Sequence, residues 1–540
     1  MMINNLAFEK FGVMIDCSRN AVMTVSAFKK MVDILFSLGY NTIRLYTEDT
    51  YEVDGEPYFG YLRGRYTKAE IKEMDGYAKE RGIELIPCIQ TLAHLGTIFR
   101  HADYGVIKDI DDIVLVGDER TYTLIDNMFK TISETFSTKN IHIGMDEAFM
   151  LGKGQYLDKN GLSARAEIIK EHLDKVLAIA QKYAFKCEIW GDMYMHAAYG
   201  GNYTFTKDES EKIKSLVPQD LKLCYWDYYH TDIAHYEDCI DRHRKLTDNV
   251  SFGGGIWTWV GFCPNNRYSL EICEAAVKAC LNKGVKEVYF TMWGDNGGEC
   301  SPFSVLPSLV AASEFAKGNF DLNKIKVLFK DKFAMDFDLF ASLEKPDMVY
   351  AKEGEPADTL CPAKTMLYTD PLCGIFDPYV EEGVAPKYYR NLAKELRKGE
   401  KDPTWGYLFK NMRALSEVME VKFDLGVETR KAYKSGDRYA LNEIVTKKYP
   451  LLIKRLTAFY DAFESAWMAE KKPLGFEVQD IRIGGLIQRV KHCKRVLEKY
   501  LDGQLDVVEE LEQELLAPFG MSHGKIGYNY YAFLPTTGVL

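Results

Sequence analysis

Residues 12–46 read GVMIDCSRNAVMTVSAFKKMVDILFSLGYNTIRLY. Gly12 to Ile15 is a short apolar run. Val25 to Leu38 then places apolar residues three and four apart, which predicts an amphipathic helix closed by Gly39. Thr42 to Tyr46 is a second β-branched run. A strand, a helix and a second strand in so few residues form a βαβ unit, whose strands are parallel.

The same alternation continues along the chain. Lys68 to Arg81 is a predicted helix ended by Gly82, and Ile83 to Ile89 a strand. Thr121 to Phe136, Ala164 to Ala184, Ser210 to Leu216, Ile233 to Lys245, Leu270 to Lys283 and Val305 to Ala316 carry helical spacing. Between them lie strand-like runs at Ile141 to Met145, Cys187 to Trp190, Lys222 to Trp226, Val250 to Trp257 and Lys286 to Trp293. Eight such units in about 310 residues fit a (β/α)₈ barrel better than an open doubly wound sheet. No GxGxxG follows the first strand and no GxxxxGK[ST] occurs, which argues against nucleotide folds.

The segments after the strands are long and rich in polar and aromatic residues: 47–66, 91–116, 146–161 and 191–207. The segments after the helices are short. In this fold the loops after the strands carry the chemistry. Past residue 320 strand-like runs become scarce. Leu451 to Trp467, and the series Leu486, Ile487, Val490, Cys493, Leu497, Tyr500, Leu501, step by threes and fours. The expected organisation is an α/β barrel over residues 1–320 and a mainly helical region over 321–540.

Composition bounds the function. The 540 residues are 47% apolar and 27% charged, enough for large cores and unlike a disordered chain. With 68 basic against 79 acidic residues and no basic stripe, nucleic acid is not an expected partner. The helix around Arg489, Lys491, Lys494 and Arg495 reads as a solvated face. No charged start followed by an apolar run is seen, so no signal peptide is expected. No apolar run is long enough for a membrane span. The 12 cysteines lack a CxxC pair and read as free buried thiols of a reducing compartment, which implies a cytoplasmic protein. The 10 histidines show no HExxH spacing, so neither a metal nor a cofactor is expected.

The chemistry-bearing constellation stands at the fourth strand, Ile141-His142-Ile143-Gly144-Met145-Asp146-Glu147. Two adjacent carboxylates at a strand's C-terminal edge can both reach the barrel mouth. Like charges disfavour joint ionisation, so one can keep a proton near neutral pH. Trp190, Trp226, Trp257 and Trp293 fall at the ends of strands five to eight, with Trp259 just beyond. Indoles there suit a flat, half-apolar ligand. Asp192, Asp227 and Asp295 stand beside them and can accept hydrogen bonds from sugar hydroxyls, though each also suits a cap or turn.

His142-Ile143-Gly144-Met145-Asp146-Glu147 resembles the His-x-Gly-x-Asp-Glu signature of glycoside hydrolase family 20, the β-N-acetylhexosaminidases. Asp16-Cys17-Ser18-Arg19 resembles the family's first-strand segment. Ile83 through His94 resembles its third-strand segment with a loop histidine, and Trp190 and Trp293-Gly294-Asp295 its fifth- and eighth-strand motifs. Departures are evident: Phe11 stands where an Arg that holds sugar hydroxyls is usual. Arg44-Leu45-Tyr46-Thr47-Glu48-Asp49 replaces His-x-His-x-x-Asp, Gln90 replaces Asp, and Met145 replaces Gly. The family's N-terminal accessory domain is expected to be absent, as in a compact subgroup.

The resemblance implies a retaining, substrate-assisted, exo-acting hydrolase of terminal β-linked GlcNAc or GalNAc. Glu147 would be the general acid and then base, and Asp146 would orient the acetamido N–H. Tyr225, Tyr228 or Tyr229 would bond the acetamido carbonyl, with Tyr228 preferred. Trp190, Trp226, Trp257 and Trp293 would wall the pocket, and Asp295 would bind the O4/O6 side. His94 with Asp49 would tune Glu147. The implied partner is a glycan with a terminal N-acetylhexosamine, and a homodimer is a further expectation. A catalytically silent glycan-binding barrel, or a metal-dependent sugar isomerase or deacetylase, are the alternatives.

Overall fold

The computed structural model describes residues 6–352, 354–518, 526–527 and 531–536. They fall into two compact units. One holds residues up to 256 with 269–293 and 308–322; the other holds 257–268, 294–307 and the chain from 323 onward.

The first unit is a closed barrel of eight parallel strands. They are β1 (Lys10–Asp16), β2 (Thr42–Tyr46), β3 (Glu84–Cys88), β4 (Asn140–His142), β5 (Lys186–Trp190), β6 (Lys222–Trp226), β7 (Val250–Gly255) and β8 (Glu287–Met292). Each pairs with its sequence neighbours, and β1 closes the ring on β8 with Gly12 opposite both Thr42 and Tyr289. A two-stranded antiparallel ribbon, Lys108–Ile110 with Ile113–Val114, stands in the long segment after β3. The (β/α)₈ expectation holds.

The punctuation residues explain the element ends. Thr24 caps helix Val25–Leu38 by accepting the Ala27 N–H, and Gly39 ends it in the left-handed conformation at φ 96°. Thr67 and Glu70 form a reciprocal capping box for helix Lys68–Glu80. β4 is shorter than its apolar run: it stops at His142, before the Gly144-Met145 turn.

Because side chains alternate across a strand, Gly12, Met14 and Asp16 face into the barrel while Phe11, Val13 and Ile15 face the helices. Phe11 is accordingly buried between Phe8, Tyr40 and Phe290, its ring 4.8 Å from that of Tyr40. It is an outer-face packing residue and offers nothing to a sugar.

The barrel interior is not the usual branched-aliphatic filling. One layer consists of Met14, Tyr46, Cys88, Trp190, Cys224 and Tyr289. Beneath it Arg44, only 1% exposed, lies 2.9 Å from Glu188 Oε2 and 3.7 Å from Glu287 Oε2, with its guanidinium 3.7 Å from the centre of the Tyr289 ring. Lys222 bonds Glu287 at 2.5 Å and Ser251 donates to Glu188. Burial pushes the Glu188 carboxyl up, but Arg44, His142 and Lys222 outweigh it and hold it down at about 2. Arg44 is thus a barrel-floor ion and not a sugar ligand.

The second unit is built mainly of helices, among them Gly406–Lys422, Tyr449–Glu470 and Glu477–Leu501. Inside it the buried Glu299 bridges Lys364 at 2.6 Å and Arg482 at 2.8 Å. Among the described residues no helix is long and apolar enough to cross a membrane.

Removing one partner of a buried ion pair leaves the other uncompensated. Arg44→Met should therefore lower unfolding free energy by about 3–5 kcal/mol, read as a drop in the urea midpoint. A variant as stable as wild type would show that the floor charges carry no such weight.

Candidate active site

The site begins where β4 ends. Gly144, Met145 and Glu147 all take positive φ, 73°, 73° and 53°. At Gly144 a Cβ would collide with the Gln90 carboxamide and the Ile89 carbonyl, so the residue is glycine for space as well as conformation. The turn separates the two neighbouring acids. Asp146 points inward and is 8% exposed, whereas the Glu147 side chain is 48% exposed at the rim. Glu48, after β2, and His94, after β3, are also left-handed at φ 46° and 57°. Strained backbone thus gathers at the ends of three adjacent strands, as it often does where side chains must be held to a function.

Asp146 is held on two sides. Gln90 Nε2 donates to its Oδ1 at 2.8 Å, and His94 Nε2 lies 3.2 Å from its Oδ2. The same imidazole nitrogen is 3.7 Å from Glu147 Oε2. Gln90 Nε2 is also 2.9 Å from the Tyr46 hydroxyl, which donates to Glu48 Oε1 at 3.1 Å. Arg19 completes the arc, 3.5 Å from Glu48 and 4.0 Å from Asp16. Behind Glu147, the buried Asp192 accepts its backbone N–H at 2.9 Å.

These contacts sort the protons. Burial pushes the Asp146 carboxyl up, but His94 and the Gln90 hydrogen bond outweigh it and hold it below the usual carboxylate range. Burial likewise disfavours the His94 cation, yet Asp146 and Glu48 raise it to about 10. Among the described residues no cation acts on Asp192 to offset its burial. Burial first, and the Asp146 charge second, push it up to about 8. Burial also lifts Glu48 to about 7 against the pull of Arg19 and His94. Near neutral pH the set contains an anionic Asp146, a cationic His94 and a protonated Asp192.

An aromatic cup adjoins the acids. The Trp293 ring packs edge-on against Tyr46 at 4.7 Å, and Trp226 stacks on Tyr228 at 5.2 Å and 25°. Trp226 and Trp293 are half-buried over the inner barrel layer. Trp190, 1% exposed, lies within that layer, against His142 at 4.4 Å and Trp293 at 6.1 Å. It is a floor under the cup rather than a wall of it. Among the three tyrosines, Tyr225 faces outward and gives its hydroxyl to Asp227 at 2.9 Å, and Tyr229 is exposed. Tyr228 alone is buried against a cup ring.

One expectation needs correction. Asp49 does not meet His94: it pairs with Arg63 at 3.0 Å. Glu48 takes the His94 side, its own left-handed backbone turning its carboxylate inward. Trp257 and Asp295 fall in the second unit, where Trp257 stacks on Trp259 at 4.2 Å; the sugar contacts expected of the two stand as proposals. Glu48, Gln90 and Tyr46 carry no motif of their own in the sequence. Asp192 reads there as a sugar contact, but is buried behind Glu147.

The model for "Glycosyl hydrolase family 20, catalytic domain" matches residues 8–236, and that for "Glycoside Hydrolase 20C C-terminal domain" matches residues 338–526. The chain belongs to glycoside hydrolase family 20. Among curated relatives it is similar to "Hexosaminidase D" of Bos taurus, 23% identical over 257 residues, or 45% of this chain and 68% of that protein. It is 22% identical to "Hexosaminidase D" of Homo sapiens over 220 residues, 39% of this chain and 43% of that one. Among solved structures, an exo-β-N-acetylglucosaminidase of Vibrio harveyi in complex with N-acetylglucosamine aligns with a TM-score of 0.46 at 16% identity. That alignment covers 60% of this chain and 58% of the other.

Proton linkage can be checked directly. Asp192 rises from 3.8 to about 8 on folding, so between those values the folded chain holds a proton that the unfolded chain has lost. Stability from this group therefore falls as pH rises from about 4 to 8. Asn at 192 retains an acceptor for the Glu147 N–H but cannot ionise. The thermal midpoint of Asp192→Asn minus that of wild type should grow steadily over this window. Parallel curves would show that Asp192 does not carry the proton.

Proposed function

We propose that the chain is an exo-acting, retaining β-N-acetylhexosaminidase that removes terminal β-linked GlcNAc or GalNAc with the substrate's acetamido group as nucleophile. The observation that carries this reading is the division of labour between Asp146 and Glu147. Both flank one imidazole nitrogen, so they do not face each other across a scissile bond as the paired carboxylates of ordinary retaining glycosidases do. Asp146 is buried, anionic and acceptor-rich; Glu147 is at the rim, where a leaving group would depart.

In this mechanism the acetamido carbonyl oxygen attacks C1 as the bond from C1 to the aglycone oxygen breaks. Glu147 gives its proton to that oxygen. Asp146 accepts the acetamido N–H and stabilises the positive charge that spreads onto the oxazolinium ring, an electrostatic task suited to a fixed, dry carboxylate. Glu147, now a carboxylate, takes a proton from water as it attacks C1, and the acetamido group is restored with β configuration. Trp226, Tyr228 and Trp293 present faces for the sugar and its methyl group, and Tyr228 is the candidate donor to the acetamido oxygen. His94 steers the Asp146 charge and lies beside Glu147, while Asp192 fixes the Glu147 backbone. The cysteines are all unpaired, and all but Cys373 are buried, which supports work in a reducing compartment such as the cytoplasm.

Hydrolysis of aryl β-GlcNAc, β-GalNAc and β-glucoside measured side by side tests the substrate class. Turnover of an acetamido sugar with negligible glucoside turnover is expected, and the opposite order would refute the reading. Glu147→Gln should lose about 10²–10⁴-fold in kcat on substrates with poor leaving groups and much less on those with good ones. An equal loss on both would remove Glu147 from the acid role.

A further inference from the structure

The acid at the rim shares its turn with an aromatic ring. The Phe149 N–H donates to the Glu147 carbonyl at 2.7 Å, which closes a three-residue turn around Ala148. Ala148 is fully buried, whereas Glu147 and Phe149 on either side of it are exposed. The turn therefore folds the Phe149 side chain back beside Glu147, on the outer side of the rim.

A single exposed apolar side chain needs no explanation by itself. Phe149, 40% exposed, is different because it is held in one frame with the acid. Asp192 accepts the Glu147 N–H at 2.9 Å, and Arg165 donates to the Phe149 carbonyl at 3.0 Å. His196 stands one turn past Asp192 on helix Asp192–Tyr199 and meets the Phe149 ring at 5.0 Å and 69°. One short helix thus anchors both the acid and the ring. An edge-to-face neighbour covers at most one face of the phenyl, so a flat apolar face stays open to solvent.

We propose that Phe149 is the platform for the leaving group, and that it takes the pyranose to which the terminal N-acetylhexosamine is linked. This role rests on the hexosaminidase reading and extends it to the aglycone side. Glu147 gives its proton to the glycosidic oxygen, so the second sugar ring begins one bond beyond the oxygen that this carboxyl serves. The side chain folded back beside the acid is the one that ring meets. The Trp226, Tyr228 and Trp293 cup comes from the ends of β6 and β8 and serves the terminal sugar; Phe149 stands after β4, where the bond is cut.

The chemistry of the ring names the partner. A pyranose of gluco or galacto configuration gathers axial C–H groups on one face and carries its hydroxyls around the edge. Laying that face on a phenyl ring removes two apolar surfaces from water and sets C–H groups over the negative π face. A phenyl ring has no polar tip, so it reads the apolar face and not the hydroxyl pattern. The second residue must then be a pyranose, whereas its identity and linkage matter less. An amino-acid or short alkyl aglycone offers no such face.

The test uses the full chain and two kinds of substrate. One is the β-fluoride of the terminal sugar that wild type prefers, GlcNAc or GalNAc, whose leaving group carries no ring. The other is the same sugar joined β1,2, β1,3, β1,4 or β1,6 to a second pyranose. The readout is the ratio of kcat/KM on a disaccharide to kcat/KM on the fluoride. Phe149→Ala should lower that ratio about 3–10-fold, and Phe149→Tyr, which keeps the ring, should restore it. A ratio unchanged in Phe149→Ala would overturn the proposal, since a ring that only supports the Glu147 turn would slow both substrates alike. A tyrosine that restores nothing would also overturn it, as would a wild type that cleaves the fluoride and none of the disaccharides. Wild type inert on every one of these substrates would remove the hexosaminidase reading itself, and the platform with it.

Discussion

The interaction on which the site depends is the pairing of buried Asp146 with His94. A carboxylate taken out of water at the mouth of a barrel would normally keep its proton. Here the imidazole at 3.2 Å and the Gln90 amide at 2.8 Å reverse that preference. Once Asp146 is fixed as the anion, its field acts on the other groups. It raises His94 and helps to keep Asp192 protonated. One charge assignment thus settles three protonation states, and the barrel provides it by ending β3 and β4 side by side with left-handed turns.

Much of this architecture was legible in the sequence. The β2 and β6 boundaries and those of helix Val25–Leu38 match the periodic runs residue for residue, because parallel strands buried on both faces read as continuous apolar runs and glycine ends the helices. The Asp146-Glu147 pair was legible for the same reason: it sits where such a run stops. What escaped is set by backbone twist and by interior geometry. Glu48 and Asp49 cannot be ranked from adjacency, since a positive φ at Glu48 decides which one faces His94. Trp190 looks like a mouth residue, but inward alternation on β5 places it in the barrel layer. Asp192 looks like a sugar ligand, yet the turn after β5 folds it behind Glu147.

The aromatic and acidic residues after strands six to eight divide into separate tasks. Trp226, Tyr228 and Trp293 form the cup, whereas Asp227 faces away from it toward His230 and His235. Strand-end position alone does not distinguish these roles, because consecutive residues point to opposite sides.

The most direct test of the central claim, that fixed Asp146 directs the substrate's own acetamido group to C1, is turnover of aryl N-acyl-β-glucosaminides carrying acetyl, fluoroacetyl, difluoroacetyl and trifluoroacetyl groups. Fluorine weakens the carbonyl oxygen as a nucleophile without removing the N–H. The proposed chemistry requires kcat/KM to fall steeply and steadily along the series. Rates that stay level or rise would contradict it.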